Sequence, residues 1–318
     1  MTPRHIVLLG GTCFVGRALC AELVSRAGAG GLRLVVPTRR LAHGRAVQCL
    51  PGVELAVADV HDDTQLARVL AGAHAVVNLV AILQGNEAAF ARVHAELPRR
   101  VAAACHRAGV ARIVHVSALG VASDAPSRYL RSKAAGEQVL RESGLAATLL
   151  RPSVIFGAED RLLNLFARLQ AVAPFVPLAG ASSRFQPVWV QDVASAIATC
   201  LERPDTAGQT FECAGPEVLT LAELVRLAGR LAGHERPIFA LPDALARLQA
   251  MLMEWLPGEP LMSRDNLDSM KVPNVSTGRL PGLAQLGISP APLQAVAPAY
   301  LAPGQGPSRL VRWRAHQR

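Results

Sequence analysis

Tyr129 and Lys133 stand four residues apart, one turn along a helix, and therefore share a face. A free tyrosine titrates near ~10 and is a poor acid or base at neutral pH. An ammonium one turn away favours the phenolate. Ser117, ending the apolar run Ile113–Val116, can hold a substrate oxygen. Together the three could deliver a proton during reduction of a carbonyl. The spacing itself is common, but the chain has two tyrosines and, among 33 basic residues, two lysines, Lys133 and Lys271. At those counts Tyr-x-x-x-Lys arises by chance about once in a hundred such chains. The plain alternative is an ordinary surface helix pair.

A second constellation begins near the N-terminus. Gly10-Gly11-Thr12-Cys13-Phe14-Val15-Gly16 directly follows the apolar run Ile6–Leu9 and precedes a stretch with Val15, Leu19, Leu23 and Val24 on one face. Strand, glycine turn, helix is the layout of a phosphate cradle, in which backbone N–H groups and the helix dipole face a dinucleotide's pyrophosphate. Gly10 and Gly16 suit the tight turn and the helix–strand contact. Cys13 stands where close backbone approach is expected and brings a side chain. At a helix start the dipole favours a thiolate, which predicts a redox-sensitive, cofactor-shielded thiol; the plain alternative is a buried, inert one. The next strand ends in Pro37-Thr38-Arg39-Arg40, with no acidic residue for a ribose 2′-hydroxyl. Two arginines there suit a 2′-phosphate, so the residues predict NADP(H) rather than NAD(H). Asp59 and Val60 follow the third strand and could contact the adenine; a strand-end cap is the plain reading of Asp59.

Elements that could position these groups follow from the hydrophobic pattern. Apolar runs at Leu32–Val36, Val53–Val57, Ala75–Val80, Ile113–Val116 and Thr148–Leu150 read as strands. Helical stretches lie between most of them, among them Glu87–Ala108 and Ser127–Ser143. Alternation of this kind predicts an α/β fold, a Rossmann-type doubly wound parallel sheet, with a small C-terminal α/β region. We place the nucleotide-binding domain at residues 1–157 and a substrate or partner region at 158–318, lying over the C-terminal ends of the strands. Part of that region, about 186–215, is expected to pack back on the sheet. Asp192 is expected to cap a helix over Val193–Leu201, and Glu159-Asp160 to suit the start of another. The stretch Ala244–Leu256 reads as a core or lid helix, or alternatively as a membrane or partner face.

Composition narrows the classes. The net charge is +9, but aromatic residues make up 4% of the chain and the arginines are spread, so a solvated basic surface is favoured over a nucleic-acid site. A small basic cluster, Arg309, Arg312, Arg314 and Arg318, could touch an acidic membrane or partner. No apolar run reaches the ~20 residues of a membrane span, and no signal-peptide layout opens the chain. The expectation is a cytoplasmic protein. Its six cysteines form no C-x-x-C pair and no metal-ligand spacing with histidine, so they read as reduced thiols, mostly buried, with no metal.

Several runs carry a family resemblance. Gly10–Gly16, Tyr129–Lys133 followed by Ala134-Ala135-Gly136-Glu137, and Arg151-Pro152-Ser153-Val154-Ile155-Phe156-Gly157 resemble an atypical short-chain dehydrogenase/reductase of the epimerase/dehydratase type. Glu159-Asp160-Arg161, Phe185–Ala194 and Ser263-Arg264-Asp265-Asn266-Leu267 are similar to the nucleotide-binding accessory subunit of respiratory complex I and its bacterial relatives. The resemblance covers nearly the whole chain. It implies a bound NADPH, with Gly10, Thr12, Phe14, Val15 and Gly16 on the pyrophosphate and Arg39 and Arg40 on the 2′-phosphate. It places Asn78, Leu79, Val80 and Ala81 on the nicotinamide side, and Ser117, Tyr129 and Lys133 at the nicotinamide, with Lys133 also on its ribose. Cys13 in place of glycine departs from the pattern. The resemblance leaves two classes open: an oxidoreductase or epimerase acting on a carbonyl or quinone-like substrate, and a non-catalytic accessory or assembly protein at a respiratory complex or the inner membrane face.

Overall fold

The computed structural model describes residues 4–28, 31–255 and 261–302. They form two compact units. The first contains the residues up to Pro152 together with Gln191–Cys213 and Thr277–Ser289; the second contains Ser153–Val190, Ala214–Ser276 and the residues from Pro290.

The first unit is a seven-stranded parallel sheet. Its strands are β1 (Arg4–Leu9), β2 (Leu32–Thr38), β3 (Val53–Val57), β4 (Ala75–Asn78), β5 (Arg112–Val116), β6 (Ala146–Pro152) and the strand Thr210–Cys213. Across the sheet they run Thr210–Cys213, β6, β5, β4, β1, β2, β3. This is the expected doubly wound arrangement, in which the chain leaves β1 in one direction and returns to build outward from β4. Successive side chains of a strand point to opposite faces. Val7 and Leu9 pack with Leu66, Leu70, Leu97 and Val101, while Ile6 and Leu8 are buried on the other side. Both faces are therefore covered, which is why the strands read as unbroken apolar runs.

Helices α1 (Phe14–Ala27), α2 (Asp63–Leu70), α3 (Glu87–Ala91), α4 (Leu97–Ala108) and α5 (Arg128–Glu142) connect the strands. Ser127 caps α5, its side chain accepting from the Leu130 N–H at 3.2 Å. Glu87–Ala108 is not the one regular helix expected. A π turn, Arg92–Glu96, separates α3 from α4, and the Leu97 N–H reaches back to the Arg92 carbonyl. Pro98 accounts for the break. It has no N–H for the carbonyl four residues earlier, that of His94. The freed His94 carbonyl faces Gly136 on α5, where an added Cβ would strike it.

Helices α6 (Leu162–Val172) and α7 (Val190–Glu202) follow. The return of α7 and the strand Thr210–Cys213 to the sheet is anchored by Arg112. Its guanidinium donates to the Ala146 and Cys200 carbonyls and to the hydroxyls of Thr148 and Thr206, at 2.6–2.8 Å. α1 and α7 are joined by Ser195–Glu22 at 2.9 Å and Arg26–Glu202 at 3.1 Å. α7 begins at Val190, so Asp192 lies in its first turn rather than capping it.

The second unit packs α6 against α8 (Leu221–Leu231) around Phe156, Phe166, Leu224 and Tyr300. It also carries α9 (Asp243–Trp255), α10 (Arg264–Ser269) and three short two-stranded pairs. Asp160 Oδ1 accepts from the Leu163 N–H at 2.7 Å, and Tyr300 donates to Asp160 Oδ2 at 3.0 Å. Asp160 thus serves the start of α6, as expected. Tyr300 is structural.

Candidate functional site

The turn after β1 is built by its glycines. Gly10 has φ +86°, the left-handed region. The turn closes through the Cys13 N–H on the Gly10 carbonyl at 3.0 Å. A Cβ at Gly16 would collide with the Gly10 carbonyl oxygen and Gly11 Cα, so a side chain there would displace backbone. Gly11 is pressed against the Val36 methyls. α1 opens at Phe14, and its first-turn N–H groups, in Phe14, Val15 and Gly16, have no intrahelical acceptor by construction. Thr12 lends its carbonyl to Arg17 at 3.0 Å.

Cys13 takes the N-cap position with extended backbone and is exposed at the surface. The thiol pKa shifts against the lowering expected at a helix start. Desolvation within the turn raises the thiol pKa, and the Gly16 and Val15 N–H groups, which lower it, only partly offset this. Of the other cysteines, Cys49 is exposed and Cys20, Cys105, Cys200 and Cys213 are buried; all are free thiols. Among the described residues no cluster has the makings of a metal site.

Arg39 and Arg40 leave the end of β2 exposed, and neither is ion-paired with a described residue. Thr38 shapes their turn, its hydroxyl donating to the Arg40 carbonyl at 3.0 Å. Asp59 is half-buried and partly committed, its carboxylate accepting from the His61 N–H at 3.0 Å; Val60 beside it is half-buried. Asn78 ends β4 fully buried. Its Oδ1 accepts from the Val80 N–H at 3.1 Å and its Nδ2 donates to His115 Nδ1 at 3.2 Å. Leu79 and the Val80 nitrogen lie against Gly10, so the loop after β4 runs beside the phosphate turn. Ala81, next in that loop, is exposed.

Ser117 follows β5. Its hydroxyl is buried and has no hydrogen-bond partner, an orphan that a ligand oxygen would satisfy. Lys133, 2% exposed, donates from Nζ to the Val116 carbonyl at 3.0 Å, which brings the α5 lysine to the strand end that carries Ser117. Burial pushes Lys133 down to about 8, with the Glu137 carboxylate one turn away opposing that fall. Tyr129 is half-buried on the same helix. Its pKa moves opposite to expectation: burial pushes it up to about 12. The lysine spends a proton on a backbone carbonyl, and at neutral pH Tyr129 is a phenol.

Two groups escaped the sequence reading. One is the anion behind Lys133. Glu137 is fully buried and takes a two-pronged ion pair from Arg151, at 2.8 and 2.6 Å, with Arg141 at 2.9 Å. The other is an aromatic set in which the His94 ring lies 5.5 Å from the Tyr129 ring, edge to face, and 5.6 Å from Phe90, stacked. Pro98, inside an otherwise helical pattern, was the signal that the backbone near His94 is irregular.

The chain and its fold have counterparts. The model of the NAD-dependent epimerase/dehydratase family matches residues 6–214. NADH dehydrogenase [ubiquinone] 1 alpha subcomplex subunit 9, mitochondrial, of Mus musculus is 32% identical over 90% of this chain and 77% of its own length. Ceramide reductase of Caulobacter vibrioides is 28% identical over 75% of this chain and 74% of its own. Among solved structures, the dTDP-glucose 4,6-dehydratase DesIV of Streptomyces venezuelae, with NAD bound, has a TM-score of 0.71 over 99% of this chain and 98% of that one, at 21% identity. That likeness establishes a shared fold.

Proposed function

The chain belongs to the NAD-dependent epimerase/dehydratase family, and from that premise we propose that it binds NADP(H) and acts as an oxidoreductase or epimerase on a carbonyl or alcohol. The glycine turn at Gly10–Gly16 would hold the pyrophosphate, with Thr12, Phe14 and Val15 at its edge, and Arg39 and Arg40 the 2′-phosphate. Asn78–Ala81 would flank the nicotinamide. When bound, the cofactor would supply or accept the hydride. Tyr129 carries a proton on its hydroxyl at neutral pH and can give it to a substrate oxygen. Ser117 can donate a second hydrogen bond to that oxygen. Lys133 ties α5, the helix of Tyr129, to the end of β5 that Ser117 follows. The observation that carries this reading is the orphaned Ser117 hydroxyl at the strand end to which Lys133 is tied.

The structural neighbour holds NAD; the NADP(H) preference proposed here rests on Arg39 and Arg40. Replacing both by alanine should weaken NADPH binding by about 100-fold, tenfold for each lost charge-assisted contact, and leave NADH binding within about threefold. Calorimetric titration of both nucleotides measures this, and equal weakening of the two would contradict it.

One feature favours a second reading, a nucleotide-binding accessory protein at a respiratory complex or membrane surface, in keeping with the names of its complex I relatives. In α9, Leu245, Leu248, Leu252 and Trp255 are exposed at successive helical spacings. Two of the helix's charges pair with α10, Arg247 with Asp268 at 2.8 Å and Glu254 with Arg264 at 2.9 Å. No helix among the described residues is long and apolar enough to cross a membrane. The basic end Arg309–Arg318 lies outside the described residues, as does Leu256. Wild-type protein should sediment with anionic lipid vesicles. Leu245→Gln with Leu248→Gln and Leu252→Gln should lose at least half of the bound fraction; an unchanged fraction would mean that α9 does not hold the protein to the membrane.

A further inference from the structure

We propose that His94 is a positioning residue that locks the loop after β4 to the helix carrying Tyr129 and Lys133, so that ordering the nicotinamide side of the site and aligning the proton donor are one event. The inference rests on the nucleotide-binding reading above and assigns a role to a residue outside it.

The geometry has three links. The Ile82 N–H donates to His94 Nε2 at 3.2 Å. His94 Nδ1 lies 2.8 Å from Ser132 Oγ, and Ser132 Oγ donates to the Tyr129 carbonyl at 2.8 Å. A backbone N–H can only donate, so Nε2 must present its lone pair. A neutral imidazole then carries its hydrogen on Nδ1 and gives it to Ser132, whose own hydrogen goes on to Tyr129. One arrangement of hydrogens satisfies the whole chain. It runs from the loop that begins at Asn78 to the turn of α5 that holds Tyr129, Ser132 and Lys133.

Packing fixes the ring as well. His94 is 1% exposed, stacked on Phe90 and meeting Tyr129 edge-on. The π turn that carries it exists because Pro98 leaves its carbonyl without a helical donor, and Gly136 lets that carbonyl approach α5. The titratable groups facing the ring are Lys133 and Tyr129 on α5 and His115 on β5. Burial and the Lys133 ammonium push His94 down to about 3, so the ring stays neutral and the link through Ile82 holds at every physiological pH.

Two readouts test this. In the full chain labelled with 15N-histidine, with His94 assigned by the signal missing from His94→Gln, long-range proton–nitrogen spectra should show His94 as the Nδ1–H tautomer, neutral from pH 5 to 8. Calorimetry with NADPH should show His94→Leu binding about tenfold more weakly, one hydrogen-bonded link being lost, and His94→Gln, which restores an acceptor and a donor, within about threefold of wild type. An Nε2–H tautomer, titration near the ordinary histidine value, or wild-type NADPH affinity in His94→Leu would overturn the proposal. Should His94→Leu fail to fold, the tautomer of the wild-type chain still decides. A wild-type chain that binds neither NADPH nor NADH defeats the nucleotide reading instead, and calorimetry on wild type alone distinguishes that failure.

Discussion

Replacing Glu137 by alanine should lower the stability of the first unit by about 3–5 kcal/mol, the cost of removing one partner from a buried ion pair. The carboxylate is fully buried and receives two N–H groups from Arg151 and a third from Arg141. Without it the Arg151 guanidinium stays largely enclosed, with the more distant Glu212 as its remaining anion. Glu212 is itself engaged with Thr277, by N–H at 2.7 Å and hydroxyl at 2.9 Å, so the expected loss is more than a surface pair would give. The same change should reach the site. Glu137 opposes the fall in Lys133's pKa, so its removal should carry the lysine below about 8 and toward the neutral amine at physiological pH. Denaturant unfolding followed by circular dichroism measures the first effect. A loss under about 1 kcal/mol would mean that the pair contributes no more than an exposed one.

The second large effect is chemical. Tyr129→Phe keeps the ring, its edge-on contact with His94 and its neighbour Phe90, 6.1 Å away, and removes only the hydroxyl. NADPH affinity should stay within about threefold of wild type. Any hydride transfer that the protein catalyses should fall by about 10²–10⁴-fold, the range for loss of a general acid. The pH dependence separates this from a packing defect. With the Tyr129 phenol pushed up to about 12, the donor is protonated across pH 6–8, so the acid form does not limit reduction there. Turnover in Tyr129→Phe within tenfold of wild type would take the proton-donor role away from this residue.

Much of the fold could be read from residue patterns because the sheet is buried on both sides. Val53–Val57 was placed with its observed bounds, and Ile113–Val116 and Thr148–Leu150 lie inside β5 and β6. Ser127–Ser143 differs from α5 only by its caps. The π turn was hidden because a 3.6-residue pattern survives one extra residue; only Pro98 and the tight Gly136 contact require the irregularity. The segment Thr277–Ser289 joins the first unit through backbone pairing, with the Glu212 N–H on the Pro281 carbonyl at 2.9 Å, and such pairing leaves no hydrophobic period to read.

The candidate site can be proposed from residue types, but its electrostatics cannot be read from them. Four-residue spacing puts Tyr129 and Lys133 on one face. It does not reveal how far each is enclosed, Lys133 fully and Tyr129 by half, and that desolvation decides that the phenol rises while the ammonium falls. Cys13 shows the same limit. Its place at a helix start argues for a thiolate, but the turn desolvates the sulfur and the thiol rises. His94 carries no motif of its own. The role proposed for it rests on three hydrogen bonds that link residues 82, 94, 132 and 129, which only the folded chain brings together.

On the proposed function, the Gly10–Gly16 turn and the arginines after β2 hold a phosphorylated dinucleotide. Calorimetric titration of the purified wild-type chain with NADPH and with NADH measures this. One NADPH should bind per chain, with NADH at least about tenfold weaker because it offers no 2′-phosphate to Arg39 and Arg40. Equal affinity for the two, a preference for NADH, or no heat of binding with either would contradict it.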